Sequence, residues 1–189
     1  MTQLAIIEWS ALFLGVVYVL IAAFGKFSAW IFGGLSAGLY VYICYQSQLY
    51  IEASLQLFYV VLAIIGYLNW QKKTGDKLFN IERLKWKKHI KIIPIIFFLG
   101  LILGYFVSEN TKQFNPYLDA QLGVFSIYAT YLTTQKIIEN WLFWMVIDLV
   151  LIYLYVARGL YPTAFLYGIY TLVALFGFIH WKKKEVQQI

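Results

Sequence analysis

The sequence predicts an all-α integral membrane protein of seven transmembrane helices, and three observations carry that reading. Of the 189 residues, 62% are hydrophobic and 13% charged, against about half and about a quarter in an ordinary soluble domain. The apolar residues fall in long continuous runs bounded by charges or turn residues. The two ends of the chain also repeat one another at a fixed offset. A single core cannot hide this much apolar surface, since a fold of about 150 residues still exposes roughly 30% of its chain surface. A soluble enzyme is excluded, and the bilayer supplies the missing apolar phase.

At about 20 residues per spanning helix, the chain accommodates seven spans with short loops. In order they are predicted at 8–25, 29–47, 50–70, 91–108, 118–135, 139–157 and 160–181. Each run is far longer than the roughly 10 residues of a barrel strand. Between the third and fourth spans, residues 71–90 form a basic loop holding Lys72, Lys73, Lys77, Arg83, Lys85, Lys87 and Lys88, with Lys91 at its end. Alternation places Lys26, Lys136, Lys182, Lys183 and Lys184 on the same side, thirteen of the 15 basic residues, with Lys112 and Arg158 opposite. The positive-inside rule makes the rich side cytoplasmic, which puts the N-terminus outside and the C-terminus inside. The net charge of +6 then reads as a solvated face near anionic lipid headgroups, not as a nucleic-acid surface. No signal-peptide pattern is visible at the N-terminus.

Shifting the sequence by 111 residues lays residues 49–73 over 160–184 without gaps, with 10 of 25 positions identical. Among them are Tyr59/Tyr170, Ala63/Ala174, Gly66/Gly177, Trp70/Trp181, Lys72/Lys183 and Lys73/Lys184. The same offset pairs Trp30 with Trp141, Tyr42 with Tyr153 and Glu8 with Asp119. The chain thus divides into a first three-helix repeat (1–70), a basic loop with a connector helix (71–117) and a second repeat (118–189). One connecting span keeps the repeats parallel, about an axis along the membrane normal, and a site between such repeats is a transporter architecture.

A charge at the bilayer centre costs about 2.5–3.5 kcal/mol on insertion scales, so polar residues inside the spans call for a reason. On the sixth span Trp141, Trp144 and Asp148 stand at i, i+3 and i+7, and Asn140, Trp144 and Asp148 at i, i+4 and i+8. Helical spacing puts all four on one stripe. Indole faces offer a cation about 0.5–2 kcal/mol each, so indoles beside a carboxylate and an amide suit a flat cationic aromatic ligand. Trp141 also reads as an interfacial anchor near the inner boundary, as Trp70 does. Asp148 also reads as a partner for a neighbouring helix or for water. Gln56 is a bare amide inside the third span. It stands 14 residues before Trp70, about 21 Å at roughly 1.5 Å per residue, so one ligand meets Gln56 and Trp144 only along the pathway or through strong tilt. Gly33, Gly34 and Gly38 predict close helix packing. Thr130, Thr133 and Thr134 either line a pathway or bond their own helix, and Pro162 opens the last span at a first-turn position. Cys44, the single cysteine, is predicted to be a small buried filler. His89 and His180 lack the further ligands that a metal would need, and no cofactor is expected.

The string Glu139, Asn140, Trp141, Leu142, Phe143, Trp144 with Asp148, followed by Gly159, Leu160, Tyr161 and the closing Gly177 and Trp181, resembles the PnuC family of vitamin transporters. So do Gln56, Leu57, Phe58 and Tyr59 ahead of Gly66 and Trp70. The match runs over nearly the whole chain. The resemblance implies a 3+1+3 fold, similar in plan to the SWEET sugar carriers, in a homotrimer with one pathway per protomer in the bacterial inner membrane. It implies facilitated diffusion of nicotinamide riboside, with a cytoplasmic kinase trapping the substrate by phosphorylation. It places substrate contacts on Asn140, Trp144 and Gln56. This chain begins at its first span, whereas some riboside carriers carry an additional N-terminal segment. Shorter members include thiamine carriers, and thiamine stays open as the substrate beside nicotinamide riboside. Other classes fit poorly. No Walker-type phosphate loop occurs, no lysine lies between residues 160 and 180 to hold retinal, and Asp148 alone at depth makes no catalytic cluster.

Overall fold

The structure, a computed structural model, describes residues 3–72, 80–111 and 115–187. Seven helices lie in them: α1 Gln3–Ala23, α2 Ala29–Gln46, α3 Tyr50–Gln71, α4 Trp86–Asn110, α5 Pro116–Thr134, α6 Asn140–Ala157 and α7 Tyr161–Val186. Lys73, Lys77 and Lys112, which share in the charge asymmetry, lie outside the described residues. Three boundaries differ from the sequence reading. The first helix starts at Gln3 and is not among the shortest; α2 and α6, at 18 residues each, are. Helix α4 begins at Trp86, so Lys87 and Lys88 ride on a helix rather than in a loop. Helix α7 runs on to Val186, because the lysines after Trp181 are good helix formers and continue it past the apolar run.

Five helices (α1, α3, α4, α6 and α7) are long and apolar enough to cross a membrane. The other two are diluted by small and hydroxylated residues: glycines and Ser36 in α2, Ser126 and the threonines in α5. Helix α5 can carry them because it packs against α3, α4 and α6. Thr130 and Thr133 donate to the carbonyls of Ser126 and Ala129, at 2.8 and 2.9 Å, and Thr134 to that of Tyr131 at 2.7 Å.

Helix contacts run α1 to α2, α2 to α3, α3 to α5, α5 to α6, α6 to α7 and α7 back to α1. Six helices thus close a ring, and α4 sits outside it on α5. The turns reverse at left-handed residues, which end helices: Gly25 and Lys136 (φ 72° and 58°), Gln48 and Gly159 (φ 59° and 73°).

Local geometry recurs at the 111-residue spacing. Trp30 meets Trp70 edge-on, with ring centroids 5.4 Å apart at 89°. Trp141 meets Trp181 with the same 5.4 Å and 89°. Trp30 lies over Gly66 and Trp141 over Gly177, where a Cβ would overlap the indole. The Trp70 indole donates to the carbonyl of Thr133 at 2.9 Å, and that of Trp181 to the carbonyl of Ala22 at 3.3 Å. Each half therefore plugs a tryptophan into the other. Trp70 is 1% exposed, which overturns its reading as a membrane anchor: its ring is core, and its N–H is used across the ring. The anchor reading of Trp141 fails likewise, since this residue is buried against Gly177 and Trp181.

Smaller expectations are corrected too. Gly33 lies under the Tyr18 ring and Gly34 against Ala63, but a Cβ on Gly38 would meet open space. Cys44 is only half-buried. The basic loop is not wholly a solvated face. Glu82 pairs with the α5–α6 turn, its N–H donating to the Lys136 carbonyl and its carbonyl accepting from Ile138, both at 3.0 Å.

Candidate substrate-binding site

Inside the ring lie two chambers, of about 370 and about 210 Å³, within reach of the range usual for small-molecule sites. They share Gly15, Tyr18, Gln56, Tyr59 and Trp144 as walls. The larger one is also lined by Asn140, Trp141 and Asp148. All five residues singled out in the sequence therefore border one space. Gln56 and Trp144 meet it together despite the separation in height inferred along the helices.

Helix α6 starts the site with its first residue. Asn140 is fully buried, and its Nδ2 donates to the Ile137 carbonyl at 2.6 Å. Its Oδ1 is buried with no hydrogen-bond partner. Leaving such an acceptor unmet costs about 1–3 kcal/mol, so a residue of the chamber wall carries an acceptor in want of a donor. Trp141 and Trp30, 111 residues apart, each keep a buried indole N–H with no partner. One turn after Asn140, Trp144 borders both chambers. Asp148, 4% exposed, follows one turn further, on the same wall as Tyr167 and Tyr170. Tyr155 stacks on Tyr167, with centroids 5.3 Å apart at 11°. Glu139, the first residue of the motif, faces the other way. Its carboxylate accepts from the Leu84 N–H at 3.3 Å, and it borders a groove between α4, α5 and α6 outside the ring.

No Lys, Arg or His lines either chamber among the described residues, and Asp148 is their one carboxylate. The walls thus favour a flat ligand with positive charge and a hydrogen-bond donor. They offer a phosphate no cation. Among the described residues no group of three or more His, Cys, Asp or Glu is placed to hold a metal ion. His89 is instead buried against Tyr128 and Phe143. Sequence reading missed Tyr18, Tyr59, Tyr167 and Tyr170 as walls; Tyr59 and Tyr170 were visible as a matched pair of the repeat.

The family model described as nicotinamide mononucleotide transporter matches residues 5–183. The nicotinamide riboside transporter PnuC of Escherichia coli (strain K12) is 26% identical over 194 residues, covering 88% of this chain and 81% of the relative. That of Neisseria mucosa is 26% identical over 181 residues, covering 89% and 69%. The riboflavin/roseoflavin transporter RibM of Streptomyces davaonensis is 24% identical over 149 residues, covering 77% and 70%. A crystal structure of the vitamin B3 transporter PnuC shares the fold, with a TM-score of 0.76 at 23% identity over 96% of this chain and 82% of that one. Fold and family together define a multi-pass membrane transporter. The chain belongs to the nicotinamide mononucleotide transporter family, the family of its resemblance to PnuC.

Proposed function

We propose that this chain carries nicotinamide riboside across the bacterial inner membrane by facilitated diffusion. One observation supports this above all: the stripe of Asn140, Trp144 and Asp148 borders a chamber that has indole faces and, among the described residues, one carboxylate and no cationic side chain. Nicotinamide riboside is a flat cation bearing a carboxamide. Its ring suits the Trp144 face, its charge suits Asp148, and its amide N–H suits the unmet Asn140 acceptor. Trp141 and Gln56 complete the contacts. The phosphorylated product, lacking a cation to meet, is a poor ligand for the same chamber. A cytoplasmic kinase therefore traps the substrate, and no ion coupling is needed.

The architecture we propose is 3+1+3, with residues 1–70 and 118–189 as parallel repeats that rock about the site and 71–117 as loop and connector. The paired tryptophans, their glycines and the matched left-handed turns support it. The N-terminus lies outside and the C-terminus in the cytoplasm, and three copies assemble with one pathway each. Thiamine, also a cationic aromatic, is the second reading, and RibM is named for yet another vitamin. Uptake of each vitamin into proteoliposomes decides. Saturable riboside entry unaffected by a protonophore is expected. Collapse with the protonophore would replace facilitated diffusion by proton coupling, and entry of thiamine alone would select the second reading.

A further inference from the structure

We infer that residues 81–84 are a latch closing the chamber at the end that bears Trp70 and Trp181, an inference resting on the carrier reading. Ala22, Trp141 and Ala174 belong both to the larger chamber's wall and to a buried cluster with Trp70 and Trp181. Ile81, 6% exposed, belongs to that cluster. It comes from the segment between α3 and α4 rather than from any helix of the ring. Three contacts hold it. Glu82 pairs with Lys136 and Ile138. Leu84 donates to the carboxylate of Glu139, next to Asn140 of the site. Arg83 forks onto Glu185 at the end of α7, at 2.5 and 2.8 Å. All four partner residues belong to the second half, whereas the segment leaves from the first. Opening this end draws the ends of α3 and α7 apart and withdraws Ile81 from the tryptophans, so these contacts set how readily it opens.

The backbone pairing is independent of side chain, but the Arg83–Glu185 fork is not, and it is half exposed on the arginine side. Its loss is expected to change the opening equilibrium roughly two- to fivefold, the range of an exposed ion pair. The test places a cysteine at Thr133, on the chamber wall, in a Cys44→Ser background. Purified full-length protein in detergent is labelled with a bulky charged maleimide. Arg83→Ala and Glu185→Ala are expected to label about two- to fivefold faster than the parent, Ile81→Ala faster still, and the swap Arg83→Glu with Glu185→Arg at close to the parental rate. Parental rates in every variant would overturn the latch. Fast labelling that the swap leaves unrestored would overturn the role of the ion pair. Riboside binding is titrated separately on protein that keeps Thr133 and Cys44: its absence would sink the carrier reading on its own, while the labelling ratios still decide whether residues 81–84 close the chamber.

Discussion

Trp144 and Asn140 bring the chemistry of the site within one helical turn, and each yields a prediction. On the proposed reading, replacing Trp144 with Ala removes a cation–π contact to the ligand of about 1–2 kcal/mol and some packing. Riboside affinity is expected to fall by one to two orders of magnitude in calorimetry of folded protein. Asn140→Leu keeps the branched shape but removes the acceptor, and on the proposed reading the ligand's donor is then left unmet at a cost of about 1–3 kcal/mol. Lys136 gives a prediction of another kind. It holds a left-handed backbone (φ 58°) where the equivalent residue is Gly25, at about 1–2 kcal/mol for a residue with a Cβ. Burial also holds its ammonium below the usual range. The fold therefore binds fewer protons there than the unfolded chain, and stability rises as pH climbs toward the ordinary value of 10.5. Lys136→Gly is expected to raise the midpoint of thermal unfolding at pH 7 and to flatten that alkaline rise, offset in part by the lost bond to the Lys72 carbonyl.

At the scale of the helices, the two tryptophan–glycine crossings are the joints of the bundle. A methyl on Gly177 would lie 2.7 Å from the Trp141 indole, and one on Gly66 would collide with Trp30. Gly66→Ala and Gly177→Ala are each expected to destabilise by about 1–3 kcal/mol through overpacking, by similar amounts if the crossings are equivalent. Trp70→Ala is expected to cost about 3–5 kcal/mol, as for a core aromatic. Circular-dichroism melts in detergent check all three. The helices were legible in the sequence because apolar runs between charges report them directly. The stripe on α6 was legible because helical spacing is rigid. The burial of Trp70 and Trp141 was not: a tryptophan near a span end faces lipid or core with the same local pattern, and only partners on other helices decide, the Thr133 carbonyl for Trp70 and Gly177 for Trp141. The pairing of Glu82 with the α5–α6 turn left no local signal, since it joins segments 55 residues apart through backbone groups. The tyrosine walls were hidden for the same reason, because several helices must close before any face is interior.

For the whole molecule, six helices in a closed ring with α4 outside hold two chambers with shared walls, and the proposed function turns on what they accept. Among the described residues the walls of the larger chamber carry aromatic faces, one carboxylate and an amide with an unmet acceptor, without a cation for phosphate. The most direct measurement is a titration of purified protein with nicotinamide riboside, and in parallel with nicotinamide mononucleotide, followed by quenching of tryptophan fluorescence. Saturable quenching by the riboside, weakened at least tenfold in Trp144→Ala and absent with the mononucleotide, is the expected result. Equal responses to the two compounds, or a riboside response untouched by the loss of Trp144, would contradict it.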